Sequence, residues 1–274
     1  MIVKRIIGIF GMVCIIGAMS ACQTESEVKS GQEVEASEEA LENKSNIELS
    51  GDDETNEANN DEGSNETTDE QESNDTNDGG VTVVDEPTAM DVIVNKQRKL
   101  PEGYQPPDLT TPNVEFHVVN NERKYMRAEA AKALEDFFQA AEQQGHQLVG
   151  ISGYRSQQTQ AAVFASNVDR NGREHALQYS AQPGHSEHQT GLTMDISTAQ
   201  NDYALTESFG NTAAGQWVAE NAHKYGFVIR YPEGKSDITG YGYEPWHLRY
   251  FGESIATEIH ETGVTVEEYY GLVE

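Results

Sequence analysis

Two short segments of the chain concentrate side chains that bind metal ions and move protons. They cover residues 183–195 and residues 243–247. Within them His188, Asp195 and His247 offer two imidazole nitrogens and one carboxylate oxygen, and catalytic zinc sites use three such ligands and keep a fourth position for water. Histidine and aspartate at such spacing also occur in structural or exposed positions, so these residues alone leave both interpretations open.

A fourth residue in these segments has the right place for acid–base chemistry. Glu244 stands three residues before His247, and the proline between them disfavours a continuous helix. A short turn there holds Glu244 beside the metal without making it a ligand, which is where a general base for the attacking water belongs. In the other segment Gly191 permits a turn after His188, so the following strand can bring Asp195 back to the same point.

The elements that must position these residues follow from the periodicity of apolar side chains. Residues 192–197 alternate between apolar and polar, which predicts a strand with Thr193, Asp195 and Ser197 on one face. Because helices and strands do not alternate regularly along the chain, the sequence predicts an α+β fold. The predicted helices are residues 127–144, 157–167 with Ser156 as cap, 212–225, 253–261 and 266–270 with Thr265 and Glu268 as capping box, and the other predicted strands are residues 147–152, 227–230 and 246–250.

The N-terminal segment has the pattern of a secretory signal that ends in a lipid attachment site. Lys4 and Arg5 precede an apolar run over residues 6–16, which is shorter than the roughly 20 residues of a membrane-spanning helix. Small residues then lead directly to Cys22, in a pattern that resembles the lipobox of bacterial lipoproteins. We therefore predict a lipoprotein signal peptide at residues 1–21 and a lipidated Cys22, with an ordinary cleaved signal and an incidental cysteine as the alternative.

The negative charge of the chain is concentrated in the segment that follows. The formal net charge is −29, and residues 23–80 hold 20 acidic residues against two lysines. Without apolar periodicity this segment cannot bury enough surface to fold, so we predict an acidic disordered tether over residues 22–85. Because lysine and arginine bind phosphate backbones, the excess of acidic residues excludes nucleic acid as a partner. It also excludes attachment to anionic lipid by charge, so the predicted lipid anchor is the membrane contact that remains. Both cysteines lie within the first 22 residues, which excludes disulfides and cysteine-based zinc sites from the rest of the chain.

Three separated motifs occur in consistent order within residues 90–260. They are Ser186-x-His188-x-x-Gly191-x-Thr193-x-Asp195, then Glu244-x-Trp246-His247, and upstream of both Ser152-Gly153-Tyr154-Arg155-Ser156 followed by Gln160. Together with a lead-in at residues 95–109 they resemble VanY-type D-alanyl-D-alanine carboxypeptidases, which belong to the zinc peptidase group shared with lysostaphin and the hedgehog signalling domain. Thr193 departs from the alanine usual in the family, which bears on substrate preference and leaves the ligand set intact.

The resemblance implies a role for each residue that matches a family motif. His188, Asp195 and His247 are implied to hold one zinc ion. Glu244 is implied to take a proton from the attacking water and to pass it to the leaving amine. Arg155 is implied to bind the substrate and to stabilise the oxyanion, or to grip a carboxylate, for which its planar guanidinium is suited.

Substrate recognition in the family points to two further residues. Ser186 and Gln160 are implied to hydrogen-bond the terminal residue of the substrate, and capping or support of neighbouring residues is the alternative for each. His185 is adjacent to these motifs, and we predict a solvated loop position for it.

The fold implied by the resemblance is hedgehog/D,D-peptidase-like, a small antiparallel sheet with flanking helices, in a zinc carboxypeptidase domain at residues 86–274. The implied reaction removes the C-terminal D-alanine from peptidoglycan stem peptides, from a pentapeptide (D,D) or a tetrapeptide (L,D), and the sequence does not separate the two. The alternative is a non-catalytic lipoprotein that binds cell-wall peptides, although such a protein has no need of Glu244. We expect a monomer that is extracytoplasmic and lipid-anchored to the outer face of the cell membrane of a bacterium.

Overall fold

The fold that positions these residues is built around a four-stranded sheet. The computed structural model describes residues 80–118 and 120–273, so the predicted signal peptide, Cys22 and most of the predicted tether lie outside the described residues. The strands are β1 (Thr82–Val83), β2 (Arg98–Lys99), β3 (Leu109–Thr110), β4 (Met126–Arg127), β5 (Val149–Ser152), β6 (Thr193–Ser197), β7 (Phe227–Ile229) and β8 (His247–Tyr250). The helices are α1 (Ala128–Gln143), α2 (Gln157–Asn171), α3 (Arg173–Tyr179), α4 (Ala213–Asn221), α5 (Ser236–Thr239), α6 (Glu253–Thr262) and α7 (Val266–Tyr269).

The sheet has the strand order β5-β6-β8-β7, and each of its three pairings is antiparallel. Outside it, β1 and β2 form a short parallel pair, and β3 and β4 a short antiparallel pair. In the central strand β6, Met194 and Ile196 belong to the main core, so Asp195 between them lies on the opposite face. The predicted alternation is therefore confirmed, and both faces of this strand are buried.

The main core lies between α1 and one face of the sheet. Helix α1 forms because strong helix formers fill it and its apolar residues recur at helical spacing. Its Phe137 is fully buried and packs against Trp217 of α4, with 5.3 Å between ring centroids, and against Phe227 of β7, with 6.1 Å. A second apolar cluster joins Val228, on the other face of β7, to α6 and α7. The predicted α+β fold with flanking helices is thus observed.

Both predicted helix caps are present. The N–H of Thr159 donates to Oγ of Ser156 at 3.2 Å, which starts α2. Thr265 and Glu268 form the predicted capping box at the start of α7. These caps satisfy backbone N–H groups that have no partner inside the helix, which is why short polar side chains mark helix starts in a sequence.

Several features of the fold differ from the sequence prediction, including the end of α2 at Asn171 and the unpredicted short helix α5. The helix predicted at residues 212–225 leaves α-helical geometry after Asn221 and tightens into a 3-10 turn, as helix ends often do. Helix α3 is not predicted, because most of its side chains are exposed and its apolar periodicity is weak. The fold also begins before the predicted boundary at residue 86, since β1 pairs with β2 and Val84 belongs to the main core. Among the helices in the described ranges, none combines the length and apolarity needed to cross a bilayer.

Candidate active site and metal centre

Two adjacent strands and one tight turn bring the three predicted ligands together. Asp195 of β6 and His247 of β8 are direct partners in the antiparallel pair. His188 lies in a buried 3-10 turn, after which Gly191, with φ of 68°, reverses the chain into β6. The left-handed backbone conformation favours glycine here, and a Cβ atom at Gly191 would lie 2.9 Å from Cδ2 of Leu109, so Leu109 would have to shift to admit one.

The three side chains form a compact buried group. Nε2 of His188 lies 3.3 Å from Oδ2 of Asp195, and Nδ1 of His247 lies 3.0 Å from Oδ1 of Asp195. One nitrogen or oxygen atom from each residue can be chosen so that these atoms all lie within 4.8 Å of one another. The structure therefore brings together the three residues that the sequence predicts as metal ligands.

Hydrogen-bond partners behind the two imidazoles orient them toward a common centre. Nδ1 of His188 donates to the carbonyl oxygen of Gly153 at 2.7 Å, and Nε2 of His247 faces Oε2 of Glu187 at 3.4 Å. These contacts favour the tautomers that leave Nε2 of His188 and Nδ1 of His247 as lone-pair donors. Oδ1 of Asp195 is buried and accepts no aligned hydrogen bond. Two nitrogens and one unpartnered carboxylate oxygen fit a single zinc ion.

The charges around this group favour a cation at its centre. Burial alone would raise the pKa of Asp195, but His188 and His247 hold it well below its usual range. Burial and the charge of Arg155 lower the pKa of His188 to about 4, which keeps the ring neutral as a ligand must be. Burial would also lower the pKa of His247, but the nearby carboxylates of Asp195 and Glu187 raise it to about 9. The two carboxylates thus stabilise positive charge between them, whether a proton or a metal ion carries it.

Glu244 stands beside this group without belonging to it. Its Oε2 lies 3.5 Å from Nδ1 of His247, and the N–H of His247 donates to the carbonyl oxygen of Glu244 at 3.1 Å. The short turn that the sequence predicts here is therefore observed. Burial raises the pKa of Glu244 to about 7, and a carboxylate with such a pKa can both accept and release a proton near neutral pH.

Arg155 follows β5 and reaches the same site. Its backbone N–H donates to the carbonyl oxygen of His188 at 3.2 Å, and its Nη1 donates to Oε1 of Gln160 at 3.1 Å. Gln160 is buried, and its Nε2 donates to the carbonyl oxygen of Ala181 at 2.7 Å. Because both polar atoms of the Gln160 amide have partners within the chain, its contacts fit support of Arg155 better than direct contact with substrate.

Two other residues near the ligands are buried. Ser186 directly precedes the 3-10 turn and its hydroxyl makes no capping hydrogen bond, so the capping alternative is wrong and the substrate contact stays a prediction. His185 is only 8% exposed, and its Nδ1 lies 2.7 Å from the carbonyl oxygen of Asn95. The predicted solvated position of His185 is therefore wrong, because the lead-in segment covers it.

One residue of this site, Glu187, is not predicted from the sequence. It is fully buried behind His247, and its Oε1 accepts from Nε of Arg230 at 2.8 Å and from Nη1 of Arg249 at 3.1 Å. The sequence does carry a signal, since two arginines occur in predicted strands that are mostly apolar, and a buried arginine requires a partner. That signal does not indicate which of the many acidic residues the partner is.

Sequence comparisons agree with this geometry. The VanY family, described as D-alanyl-D-alanine carboxypeptidase, matches residues 123–253. The putative carboxypeptidase YodJ of Bacillus subtilis (strain 168) is 47% identical over 196 residues, which cover 71% of this chain and 72% of YodJ.

Solved structures show the same fold. The LdcB LD-carboxypeptidase, whose structure addresses peptidoglycan recognition, has a TM-score of 0.68 at 47% identity and covers 72% of this chain and 92% of its own. A mutant of the vancomycin resistance D,D-pentapeptidase VanY in complex with Zn(II) has a TM-score of 0.53 at 30% identity and covers 66% of this chain and 98% of its own.

Fold and site together define a peptidase of the carboxypeptidase class, with a D,D-peptidase-like α+β fold and a site for one zinc ion. The chain belongs to the VanY family of D-alanyl-D-alanine carboxypeptidases.

Proposed function

We propose that this protein is a zinc-dependent carboxypeptidase that removes the C-terminal D-alanine from peptidoglycan stem peptides. The observation that carries the proposal is the position of Glu244, which is half-buried beside the His–Asp–His group and has a pKa raised to about 7. A protein that only binds wall peptides needs no ionisable carboxylate at this place, and burying one costs free energy.

The chain's own residues divide the work of hydrolysis. Zinc, when bound by His188, Asp195 and His247, supplies a Lewis acid that polarises the scissile carbonyl and lowers the pKa of water. Glu244 accepts the proton of the attacking water and delivers it to the leaving amine of D-alanine. Arg155, held by Gln160, supplies a fixed positive charge for the oxyanion or for the terminal carboxylate of the substrate.

Of the two activities that the sequence leaves open, we propose the L,D reaction on tetrapeptide stems. The support is the degree of similarity, since identity to the LdcB LD-carboxypeptidase is 47%, against 30% for the D,D-pentapeptidase VanY. Thr193, at a position where the family usually has alanine, lies on the same face of β6 as Asp195 and is fully buried. It can therefore influence substrate preference only through its packing against neighbouring residues.

We also propose, from the sequence alone, that Cys22 is lipidated and that the acidic segment tethers the domain outside the membrane of a bacterium. A lipid anchor with a long charged tether lets the domain reach stem peptides in a wall beyond the membrane. The test is Cys22→Ala, which should move the protein from the membrane fraction to the soluble fraction without changing the activity of the purified enzyme on soluble muropeptides.

The test of the reaction is product mass on matched muropeptides that bear tetrapeptide or pentapeptide stems. We expect the zinc-loaded full chain to release one alanine from the tetrapeptide and much less from the pentapeptide. Release from the pentapeptide alone would reverse the assignment to D,D, and loss of a dipeptide would indicate a dipeptidase.

The control is Glu244→Gln, which keeps the size of the side chain and removes its base. We expect it to keep stoichiometric zinc and to lose alanine release by about 10²- to 10⁴-fold, as removal of a general base does. If zinc-loaded wild-type protein binds both muropeptides and releases no alanine, the proposed enzyme activity is wrong, and the alternative of a non-catalytic lipoprotein that binds cell-wall peptides is correct.

A further inference from the structure

A buried cluster of charged side chains lies directly behind His247. Its members are Glu187, Arg230, Arg249 and Glu267, whose side chains are at most 3% exposed. We call these four residues the buried ion cluster. It holds two positive and two negative charges, and apolar residues of similar volume often stabilise a fold as well or better than such a set. Stability alone is therefore a poor reason for its presence.

The carboxylate of Glu187 divides its two oxygens between different partners. Oε1 accepts from Nε of Arg230 at 2.8 Å and from Nη1 of Arg249 at 3.1 Å. Oε2 is left to face Nε2 of His247 at 3.4 Å. The two guanidinium groups hold the carboxylate in the orientation that presents one oxygen to the imidazole, on the side away from Asp195.

Each arginine is itself fixed from a different part of the chain. Nη2 of Arg249 donates to the carbonyl oxygens of Met90 at 3.1 Å and Val92 at 2.6 Å, which lie just before the lead-in. Arg230 makes a two-bond contact with Glu267 of α7, with Nη1 donating to Oε2 at 2.9 Å and Nη2 donating to Oε1 at 2.5 Å.

The buried ion cluster is held in place by residues from outside the segment that matches the family. Glu267 also accepts from Nδ2 of Asn95 at 3.3 Å. Asn95 precedes the matched residues 123–253 and Glu267 follows them. The segments before and after the matched part therefore meet at Glu267, and a continuous chain of contacts runs from there through Arg230 and Glu187 to His247.

We propose that Glu187 is the positioning residue for His247, and that the buried ion cluster makes the C-terminal helix α7 part of the support of the metal centre. A histidine ligand needs its outer nitrogen engaged, because that contact sets the tautomer and the ring orientation. The inference rests on the proposed function only in that the site holds a metal ion. It does not depend on which peptide is cut.

The chain offers a matched pair of variants in α7. Glu267 and Glu268 are adjacent, but Glu268 belongs to the capping box and pairs with Lys235, and both of these side chains are half-buried and lie outside the buried ion cluster. Glu267→Gln and Glu268→Gln are therefore the same substitution in the same helix. The first alters the chain of contacts to His247, and the second weakens only the helix.

The experiment measures zinc affinity of the full chain by competition with a chelator, the visible absorption of the Co(II)-substituted protein, and Tm. We expect Glu187→Gln to raise the zinc Kd by about 10- to 100-fold and to shift the Co(II) bands, as loss of an outer partner of a ligating histidine does. Glu267→Gln should raise the zinc Kd by a smaller factor, about threefold or more. Glu268→Gln should lower Tm and leave the Kd and the bands unchanged.

A folded Glu187→Gln variant with the same zinc Kd and the same Co(II) absorption bands as the wild type would overturn the proposal. If Glu187→Gln does not fold, the matched pair decides, because equal zinc affinities in Glu267→Gln and Glu268→Gln would show that α7 does not support the metal site. None of these readouts uses a substrate. A wild-type protein that binds zinc but releases no alanine would thus contradict the proposed function and leave this inference standing.

Discussion

At the scale of single residues, the carboxyl group of Glu244 is partly desolvated, and its effect on the free energy of unfolding depends on pH. Burial raises its pKa from 4.5 to about 7. At pH values below 4.5 the carboxyl group is protonated in the folded and the unfolded chain, so the shift has no effect on stability. As pH rises toward 7 the unfolded chain loses this proton first, which destabilises the folded state by up to about 3 kcal/mol, and the effect is constant above pH 7.

We predict that Glu244→Gln stabilises the metal-free protein at pH 8 and has a much smaller effect at pH 5. The glutamine cannot ionise, so the variant avoids the desolvation of a buried charge and gains about 1–3 kcal/mol at the higher pH. Urea unfolding in the presence of a chelator at both pH values measures the difference. A variant no more stable than wild type at pH 8 would show that Glu244 is not desolvated in the folded protein.

The pair formed by Arg155 and Gln160 gives a second prediction at this scale. Arg155→Lys should lower kcat/KM by about 10²-fold, because a lysine ammonium cannot keep the guanidinium geometry toward a developing negative charge. Gln160→Met keeps the volume and removes the hydrogen bond to Arg155, and we expect a loss of about tenfold. If Gln160 acts through Arg155, the double variant should be no worse than Arg155→Lys alone. Multiplied losses would instead show that Gln160 contacts the substrate independently.

At the scale of elements, the turn between His188 and β6 depends on one glycine, and the chain contains a control for it. Gly191 and Gly263 both have φ of 68°, but a Cβ atom at Gly191 would lie 2.9 Å from Leu109, whereas one at Gly263 would have no atom within 4 Å. The two positions thus separate the effect of backbone conformation from the effect of crowding.

We predict that Gly263→Ala destabilises the protein by about 1–2 kcal/mol, the cost of left-handed backbone for alanine. Gly191→Ala should cost about 1–3 kcal/mol more, because the added methyl group overpacks a buried turn. It should also weaken zinc binding, since His188 and Asp195 lie on either side of this turn. Chelator competition and urea unfolding test both effects. Equal stability and zinc affinity in the two variants would show that the turn tolerates a side chain.

The elements that could be predicted from the sequence are those with a local signal. Helix α1 has apolar residues at helical spacing, β6 alternates, and the capping box at Thr265 and Glu268 consists of two side chains three residues apart. Residue types alone leave the ligand set open, and it is the resemblance of three motifs in consistent order that implies it. Strand β1 has two residues, too few for any periodicity, and is recognised only by its pairing with β2.

The part of the site that escaped prediction consists of contacts between distant segments. Glu187 is separated from Arg230 by 43 residues and from Arg249 by 62 residues. Such pairs form because the fold brings the residues together in an interior where each charge requires an opposite one. Residue types indicate that partners are needed, and only the tertiary structure identifies them.

At the scale of the whole molecule, the segments that flank the family match complete the domain. The lead-in covers His185 through Asn95, and the C-terminal helix binds Arg230 through Glu267. Both contacts lie within one or two side chains of the metal ligands. The domain that supports the metal centre therefore extends beyond residues 123–253 at both ends.

The N-terminal limit of the domain gives the last prediction. The predicted boundary at residue 86 removes β1, in which the N–H of Thr82 donates to Gln97 at 2.8 Å, and Val84, which is 5% exposed and donates to Lys99 at 2.9 Å. Burying a valine is worth about 2 kcal/mol and each hydrogen bond about 1 kcal/mol. A chain that starts at residue 86 should thus melt about 8–16 °C below one that starts at residue 80, which should match the full chain. Calorimetry of the three zinc-loaded proteins tests this, and a shorter chain that melts with the others would place β1 outside the cooperative unit.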